Sequence, residues 1–317
     1  MSLKLPVRSE NPSGMTSGAI AIFGEVLADV FPDQQVLGGA PFNVARHLRG
    51  FGLDPRLISR IGNDVLGGAL LDEMVSLDME VTGIQLDDVF PTGQVQVLLE
   101  NGRHHFNILP DQAYDQICHD ATLKTLEAMQ PRLAYFGSLV QRSEKSRLAG
   151  THFVEHCKCP LFLDINLRAP WYDVEIISAS LQHADIVKLN DEELAVISRM
   201  FDLESLRPEA QALALQQRFE VKQVLVTCGE FGSWLLDEHQ QMTRAAPVVN
   251  GSVVDTVGAG DAYAAVFMLG QLSRWSIPVT LQRASEYAAA ICGVRGAAAP
   301  SAAFVKGFKE TWELRCA

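Results

Sequence analysis

The residues best able to do chemistry lie in the run Asp255-Thr256-Val257-Gly258-Ala259-Gly260-Asp261, which leads straight into the apolar stretch 262–269. Glycines allow close backbone approach and positive φ. A helix starting at Gly260 would aim bare N–H groups and a positive dipole end at one point, where an anion, phosphate above all, is favoured. Asp261 is electrostatically misplaced at such a mouth unless it has a task, and a general base beside a phosphate is one. The alternative is an ordinary glycine-rich turn with a helix-start acid.

Three further groups could serve the same chemistry. Gly38-Gly39-Ala40-Pro41-Phe42-Asn43 opens a helix, and the Asn43 amide offers both a donor and an acceptor to a polyol. Asp29, beyond the first strand, could hold vicinal hydroxyls; a helix cap for Asn43 and a surface turn for Asp29 compete with these readings. Asn190-Asp191-Glu192-Glu193 follows a strand and reads either as a capping box or as an Asn/Glu pair for a hydrated Mg²⁺. Arg168, in Asp164-Ile165-Asn166-Leu167-Arg168, could neutralise a transferring phosphoryl group.

Something must position these groups, and the chain reads as alternating strands and helices. Strands are expected at 19–23, 56–59, 132–136, 161–164, 186–189 and 224–227. Helices are expected at 42–51, 66–77, 143–156, 174–182, 191–200, 208–219, 260–272 and 279–292. Such alternation predicts a mostly parallel sheet covered on both faces, with ligands at the carboxyl ends of the strands. One segment breaks the rhythm: 93–100 alternates, Asn101-Gly102 is a hairpin signal, and 103–108 returns. It reads as a flap over a site or as a decorative edge hairpin.

A chain of 317 residues with 48% apolar and 20% charged content is long enough for a substantial core. A formal net charge of −12 argues against nucleic acid or an anionic membrane as partner. Six scattered cysteines, the pair Cys157 and Cys159 among them, suit reduced thiols in the cytoplasm. No membrane-length apolar run or signal pattern is present, and residues 1–18 read as a loose leader. Phosphate-loop and dinucleotide fingerprints are missing, and the histidines, His104-His105 included, match no usual zinc spacing.

Together the motifs Gly38-Gly39-Ala40-Pro41-Phe42-Asn43-Val44-Ala45 and Asp255 to Asp261, in this order, resemble the ribokinase-like (PfkB) carbohydrate kinases over nearly the whole chain. The resemblance implies a three-layer α/β/α fold with a mostly parallel central sheet and a small β-sheet lid. It makes 19–317 one kinase domain, with lid segments at about 29–38 and 93–108. It implies Asp261 as base and Gly258, Ala259 and Gly260 as anion hole. Asp29, Gly39 and Asn43 fall on the sugar side, and Thr227, Gly229 and Gly232 on the ATP side. Asn190 and Glu193 match the element for Mg²⁺ and phosphate. Many relatives bind K⁺; Asp255 and Val257 match one half of that site, and Ile291, Val294, Gly296 and Ser301 the other. Val266 departs from the pattern, since relatives usually carry Ala or Gly there.

The resemblance further implies ATP-dependent phosphorylation of a small sugar, with a lid through which two copies could pair. Gly24-Glu25-Val26-Leu27 and Asp164-x-Asn166-x-Arg168, with Trp171 beyond, look most like fructokinases. Kinases for ribose, 2-keto-3-deoxygluconate or nucleosides, and a non-catalytic sugar or nucleotide sensor of the same fold, are the alternatives.

Overall fold

The computed structural model describes residues 18–100, 103–203, 207–248, 253–294 and 301–314, with the side chains of 98–105 outside the description. The first half contains β1 (Ile20–Phe23), β2 (Leu27–Val30), β3 (Gln35–Gly38), α1 (Ala40–Gly50), β4 (Pro55–Gly62), α2 (Val65–Ser76), β5 (Ile84–Asp87), β6 (Gly93–Glu100), β7 (Arg103–Ile108) and α3 (His119–Glu127). Next come β8 (Leu133–Gly137), α4 (Glu144–His156), β9 (Leu161–Asp164), α5 (Val174–His183), β10 (Ile186–Asn190), α6 (Asp191–Met200), α7 (Pro208–Phe219) and β11 (Gln223–Thr227). The chain then forms β12 (Ser233–Leu236), β13 (Met242–Ala245), α8 (Ala259–Ser273), α9 (Ile277–Ile291) and α10 (Ala302–Thr311).

The large sheet has the order β13-β12-β11-β10-β9-β8-β1-β4-β5. It is parallel from β11 to β5, and β12 and β13 extend it antiparallel. Strands buried on both faces read as unbroken apolar runs. In β1, Ile20 and Ile22 enter one core with α1, α2, α8, α9 and α10, while Ala21 and Phe23 enter a second with α3 to α7. The chain runs outward from β1 to β4 and β5, then resumes at β8 on the other side of β1. That reversal makes a crevice at the carboxyl ends of β1 and β8, the usual ligand position in such sheets.

Four strands form a separate sheet, β3-β2-β6-β7. It is antiparallel at both ends and parallel where β2 meets β6, so it is mixed rather than a simple hairpin. It packs through Leu27, Val95 and Ile108 onto Tyr114 and Leu139 of the large unit. The turn at Asn101-Gly102 and the side chains of His104 and His105 lie outside the described residues.

Several expectations need correction. Helix α8 begins at Ala259 rather than Gly260, with Gly258 left-handed at φ 81 as its N-cap. The α1 helix begins at Ala40, with Gly39 at φ 103 before it, so Asn43 lies inside the first turns and is not the cap. Asp29 belongs to β2 and is half-buried, not in a surface turn. The expected elements do not include β5, β12, β13, α3 and α10: β12 and β13 return antiparallel, outside the strand–helix alternation, and β5, α3 and α10 each carry one buried apolar side chain. Val266 is fully buried in the core around α8, on the side away from solvent. No helix among the described residues is long and apolar enough to cross a membrane.

Candidate active site

Two glycine-started helices bring the key groups together. A side chain at Gly39 would place its Cβ 2.7 Å from the Glu25 carbonyl oxygen, so only glycine lets α1 start against the loop after β1. No side chain caps α1 or α8. Across the join, Asn43 Nδ2 donates to Asp261 Oδ2 at 2.7 Å. The other end of the Asn43 amide is held by the Arg46 guanidinium, which donates to Oδ1 and, at 2.7 Å, to Glu73 Oε1. Asn43 and Arg46 are 6% and 4% exposed, so these bonds form away from bulk water.

Below the glycine loop lies a buried ion pair. Lys188 Nζ is 2.9 Å from both oxygens of Asp164, at the carboxyl ends of neighbouring strands. A Cβ added to Gly260 would come within 3.6 Å of that ammonium. Asp164 offsets that charge, and at Asp261 the carboxylate's effect outweighs the ammonium's, so the pair places an ammonium donor rather than net positive charge beside the N-terminus of α8. Sequence reasoning missed Lys188, although a lysine inside an apolar parallel strand is an anomaly that demands a buried partner.

Three carboxyl groups face this crevice, and each is held high. Burial pushes Asp261 up to about 6, with Asp164 adding to the rise while Asn43, Lys188 and Arg168 oppose it. Burial pushes Asp29 up to about 6 and Glu25 up to about 7, and the Arg168 charge pulls both down. One oxygen of Glu25 is buried without a hydrogen-bond partner. Gly38 separates Asn43 from Asp29: a Cβ there would lie 3.8 Å from Asn43 Oδ1 and 4.0 Å from Asp29 Oδ2. Arg168 is itself exposed, with its charge felt at Glu25, Asp29 and Asp261 alike. Glu25, Arg46 and Glu73 are further members that spacing did not flag; a charged residue in the apolar face of α1 was the available signal.

At the next strand ends, Asn190 and Glu193 do form the capping box. Asn190 Oδ1 accepts from Glu193 N at 2.7 Å, and Glu193 Oε2 accepts from Asn190 N at 2.9 Å. Glu193 Oε1 accepts from Leu167 N at 2.8 Å, which ties the loop carrying Arg168 to α6. Burial raises the Glu193 carboxyl, Lys188 opposing. Thr227 sits beside Asn190 in the sheet. Gly229 and Gly232 turn the chain at φ 53 and 89, and a Cβ at Gly232 would strike the Ala245 carbonyl at 2.6 Å.

The loop before α8 is fastened to the end of α9, since Val254 N and Asp255 N both donate to Cys292 O, at 2.8 and 3.1 Å. This brings Asp255 and Val257 near the α9 terminus that carries Ile291 and Val294. Asp255 Oδ1 accepts from Val257 N at 3.0 Å. Ser301 is engaged otherwise: its hydroxyl caps α10 through Phe304 N, and its carbonyl accepts from Val305 N. Gly296 lies outside the described residues.

The family model for pfkB carbohydrate kinases matches residues 14–303. The chain belongs to the pfkB family of carbohydrate kinases. Among pfkB-family relatives, a fructokinase of Klebsiella pneumoniae is 30% identical over 280 residues, spanning 84% of this chain and 88% of its own. A crystal structure of Xylella fastidiosa fructokinase with bound ATP superposes with a TM-score of 0.81 at 20% identity, covering 93% of this chain and 99% of that one. A Vibrio cholerae fructokinase double mutant with fructose, ADP and a potassium ion bound gives 0.75 at 19% identity, covering 92% and 98%. The pfkB fold accounts for both sheets, the large one and the small one.

Proposed function

We propose that this pfkB-family kinase transfers the γ-phosphoryl group of ATP to a hydroxymethyl oxygen of a small sugar, with fructose the first candidate acceptor. The observation that carries the reading is the meeting of Asp261 and Asn43, from two uncapped helix starts, in the crevice beside the reversal in strand order. Fructokinases among the relatives favour fructose, and the fold neighbours with bound ATP or ADP favour an adenine nucleotide.

In this reading Asp29, Gly39 and Asn43 hold the sugar. Asp261 takes the proton of the hydroxymethyl group as its oxygen bonds to the γ-phosphorus. The bond from that phosphorus to the bridging oxygen breaks, and ADP leaves. The N–H groups at Gly258 and Gly260, with that of Ala259 once it leaves the Thr256 carbonyl it meets at 3.2 Å, face the charge on the moving phosphoryl group, assisted by the Lys188 and Arg168 donors. Thr227, Gly229, Gly232 and Asn190 line the nucleotide side. The small sheet acts as a lid that keeps water from the phosphoryl group.

The oxygen donors fit a hydrated Mg²⁺. Glu193 and Asn190 would hold it through water, because both Glu193 oxygens already accept backbone N–H groups. That ion would neutralise phosphate charge. The Asp255 carboxylate, the carbonyls at the end of α9 and the remaining lone pairs of Ser301 are hard oxygen donors of the kind K⁺ takes.

The test is a coupled ADP-release assay over a sugar panel, with Asp261→Asn alongside. We expect turnover on a ketohexose and its collapse in the variant, with nucleotide binding retained. Silence on every sugar would favour a sensor.

A further inference from the structure

We propose that the last turn of α4 binds a divalent transition-metal ion of the Zn²⁺ or Ni²⁺ class through His152, Glu155 and His156. These residues follow the i, i+3, i+4 spacing that puts side chains on one helix face. Each offers a ligand atom, and the three atoms lie within 4.8 Å of one another. His156 Nδ1 donates to the His152 carbonyl at 2.9 Å. That bond fixes the tautomer with its lone pair on Nε2 and steers the ring as a carbonyl behind a metal-bound histidine does. The His152 ring is held in place by stacking on His119 of α3, centroids 5.2 Å apart, and its buried Nδ1 makes no hydrogen bond.

His156 is the last residue of α4, so the cation would sit at the negative end of the helix dipole. Two imidazoles and one carboxylate favour Zn²⁺, Ni²⁺ or Cu²⁺ over Mg²⁺, which selects oxygen donors. The site is separate from the nucleotide chemistry. Cys157 and Cys159 follow directly as free thiols, but they hydrogen-bond to each other and pack against the second core.

Calorimetric titration of the full chain with ZnCl₂ in excess Mg²⁺ tests this. We expect one ion per chain and a higher melting temperature with Zn²⁺ present. His156→Ala, at an exposed position, should weaken binding at least about tenfold, the loss that even outer ligand partners bring. Glu155→Gln should weaken it less, and the Cys157→Ser/Cys159→Ser double variant should leave it intact. Absence of micromolar binding, binding unchanged in His156→Ala, or binding lost with the cysteines would each overturn the site.

A second inference rests on the proposed function: we infer that Arg46, anchored by Glu73, is a positioning residue that decides which end of the Asn43 amide meets Asp261. A guanidinium has donors only. Its contact with Asn43 therefore fixes Oδ1 on the Arg46 side and turns Nδ2 toward Asp261. Asn43 is left with its second N–H for the sugar, so it must meet a substrate oxygen that accepts. Rotated, Asn43 would oppose oxygen to oxygen at Asp261 and present the wrong group to the sugar.

The titratable and charged groups around Asp261 are Glu25, Arg46, Tyr135, Asp164, Arg168 and Lys188, with Asn43 as its hydrogen-bond donor. The readout is the acidic limb of the turnover–pH profile in a double-mutant cycle. Arg46→Met should lower turnover and move the limb to higher pH, whereas the same change on an Asn43→Ala background should move it no further. Arg46→Lys, which keeps the charge but loses the two-armed grip, should show a partial shift. A full shift on the Asn43→Ala background would mean that the charge of Arg46 acts directly, and the inference fails. Asp261→Asn separates the two readings: a limb that survives it refutes the base assignment, whatever Arg46 does.

Discussion

The N-termini of α8 and α6 stand at the same edge of the large sheet and are built in opposite ways. The start of α6 is closed, because Asn190 and Glu193 satisfy each other's backbone N–H groups and Glu193 also ties down Leu167. The start of α8 is open, with left-handed Gly258 as its N-cap and no side chain over its first turn. Its acid, Asp261, turns away to Asn43 on another helix. A capped end contributes stability, whereas an open end keeps donors and dipole available to an anion. The α1 start repeats the open design with Gly39. The two open ends meet, and the protein pays for that meeting with carboxyl groups held at raised pKa.

Breaking the open end should have the largest effect. Asp261→Asn is expected to lower turnover by about 10²–10⁴-fold, the span of a positioned general base, read by steady-state kinetics at saturating sugar and ATP.

The same substitution should show the stability cost of the acid. Because burial lifts the folded-state pKa of Asp261 from the ordinary 3.8 to about 6, the folded protein binds more protons than the unfolded chain between those values. Stability therefore falls as pH rises through that window. Above it, the asparagine variant should be more stable by up to about 2–3 kcal/mol, at 1.36 kcal/mol per pKa unit. Urea melts at pH 4 and pH 7.5 check this: no gain at the lower pH, a gain at the higher. In the wild type, turnover should rise with pH through about 6, as Asp261 ionises.

Gly39→Ala probes the entry to α1. Its Cβ would meet the Glu25 carbonyl at 2.7 Å on a backbone at φ +103. A loss of about 1–3 kcal/mol is expected for forcing a strained conformation on an alanine, read as a lower urea midpoint.

The smallest effect belongs to the closed end. Asn190→Ala should cost about 1 kcal/mol of stability, as loss of a cap does. A rise in KM for ATP, with kcat altered far less than in Asp261→Asn, would match a nucleotide-side position. A kcat collapse instead would erase the distinction between the two ends.

Much of this was legible in the chain. Apolar runs in β1, β8, β9, β10 and β11 are long enough, and the helices between them amphipathic enough, that an α/β sheet follows from pattern alone. The two glycine motifs marked both open helix starts, because only glycine tolerates the φ values they adopt. The terminal elements were harder to see: β12 and β13 return antiparallel with no α-helix between them, outside the strand–helix rhythm, and α10 carries one buried side chain. Lys188 and Arg46 stood out only as charges in apolar elements; which groups they meet, Asp164 and Glu73, was not legible because those partners lie on other elements.

The sequence by itself determined which residue types face each other along a strand or a helix, since those periods are set by local backbone geometry. It also determined where the chain may turn left-handed, and that an acid follows three small residues at a helix start. Only the tertiary structure decided that Asn43 and Asp261, 218 residues apart, share a hydrogen bond. It also decided that Lys188 neutralises Asp164 beneath Gly260, and that Ser301 is a helix cap. Local rules end where burial begins. The charge states of Asp261, Asp29 and Glu25 depend on how much water and which charges the whole fold leaves around them.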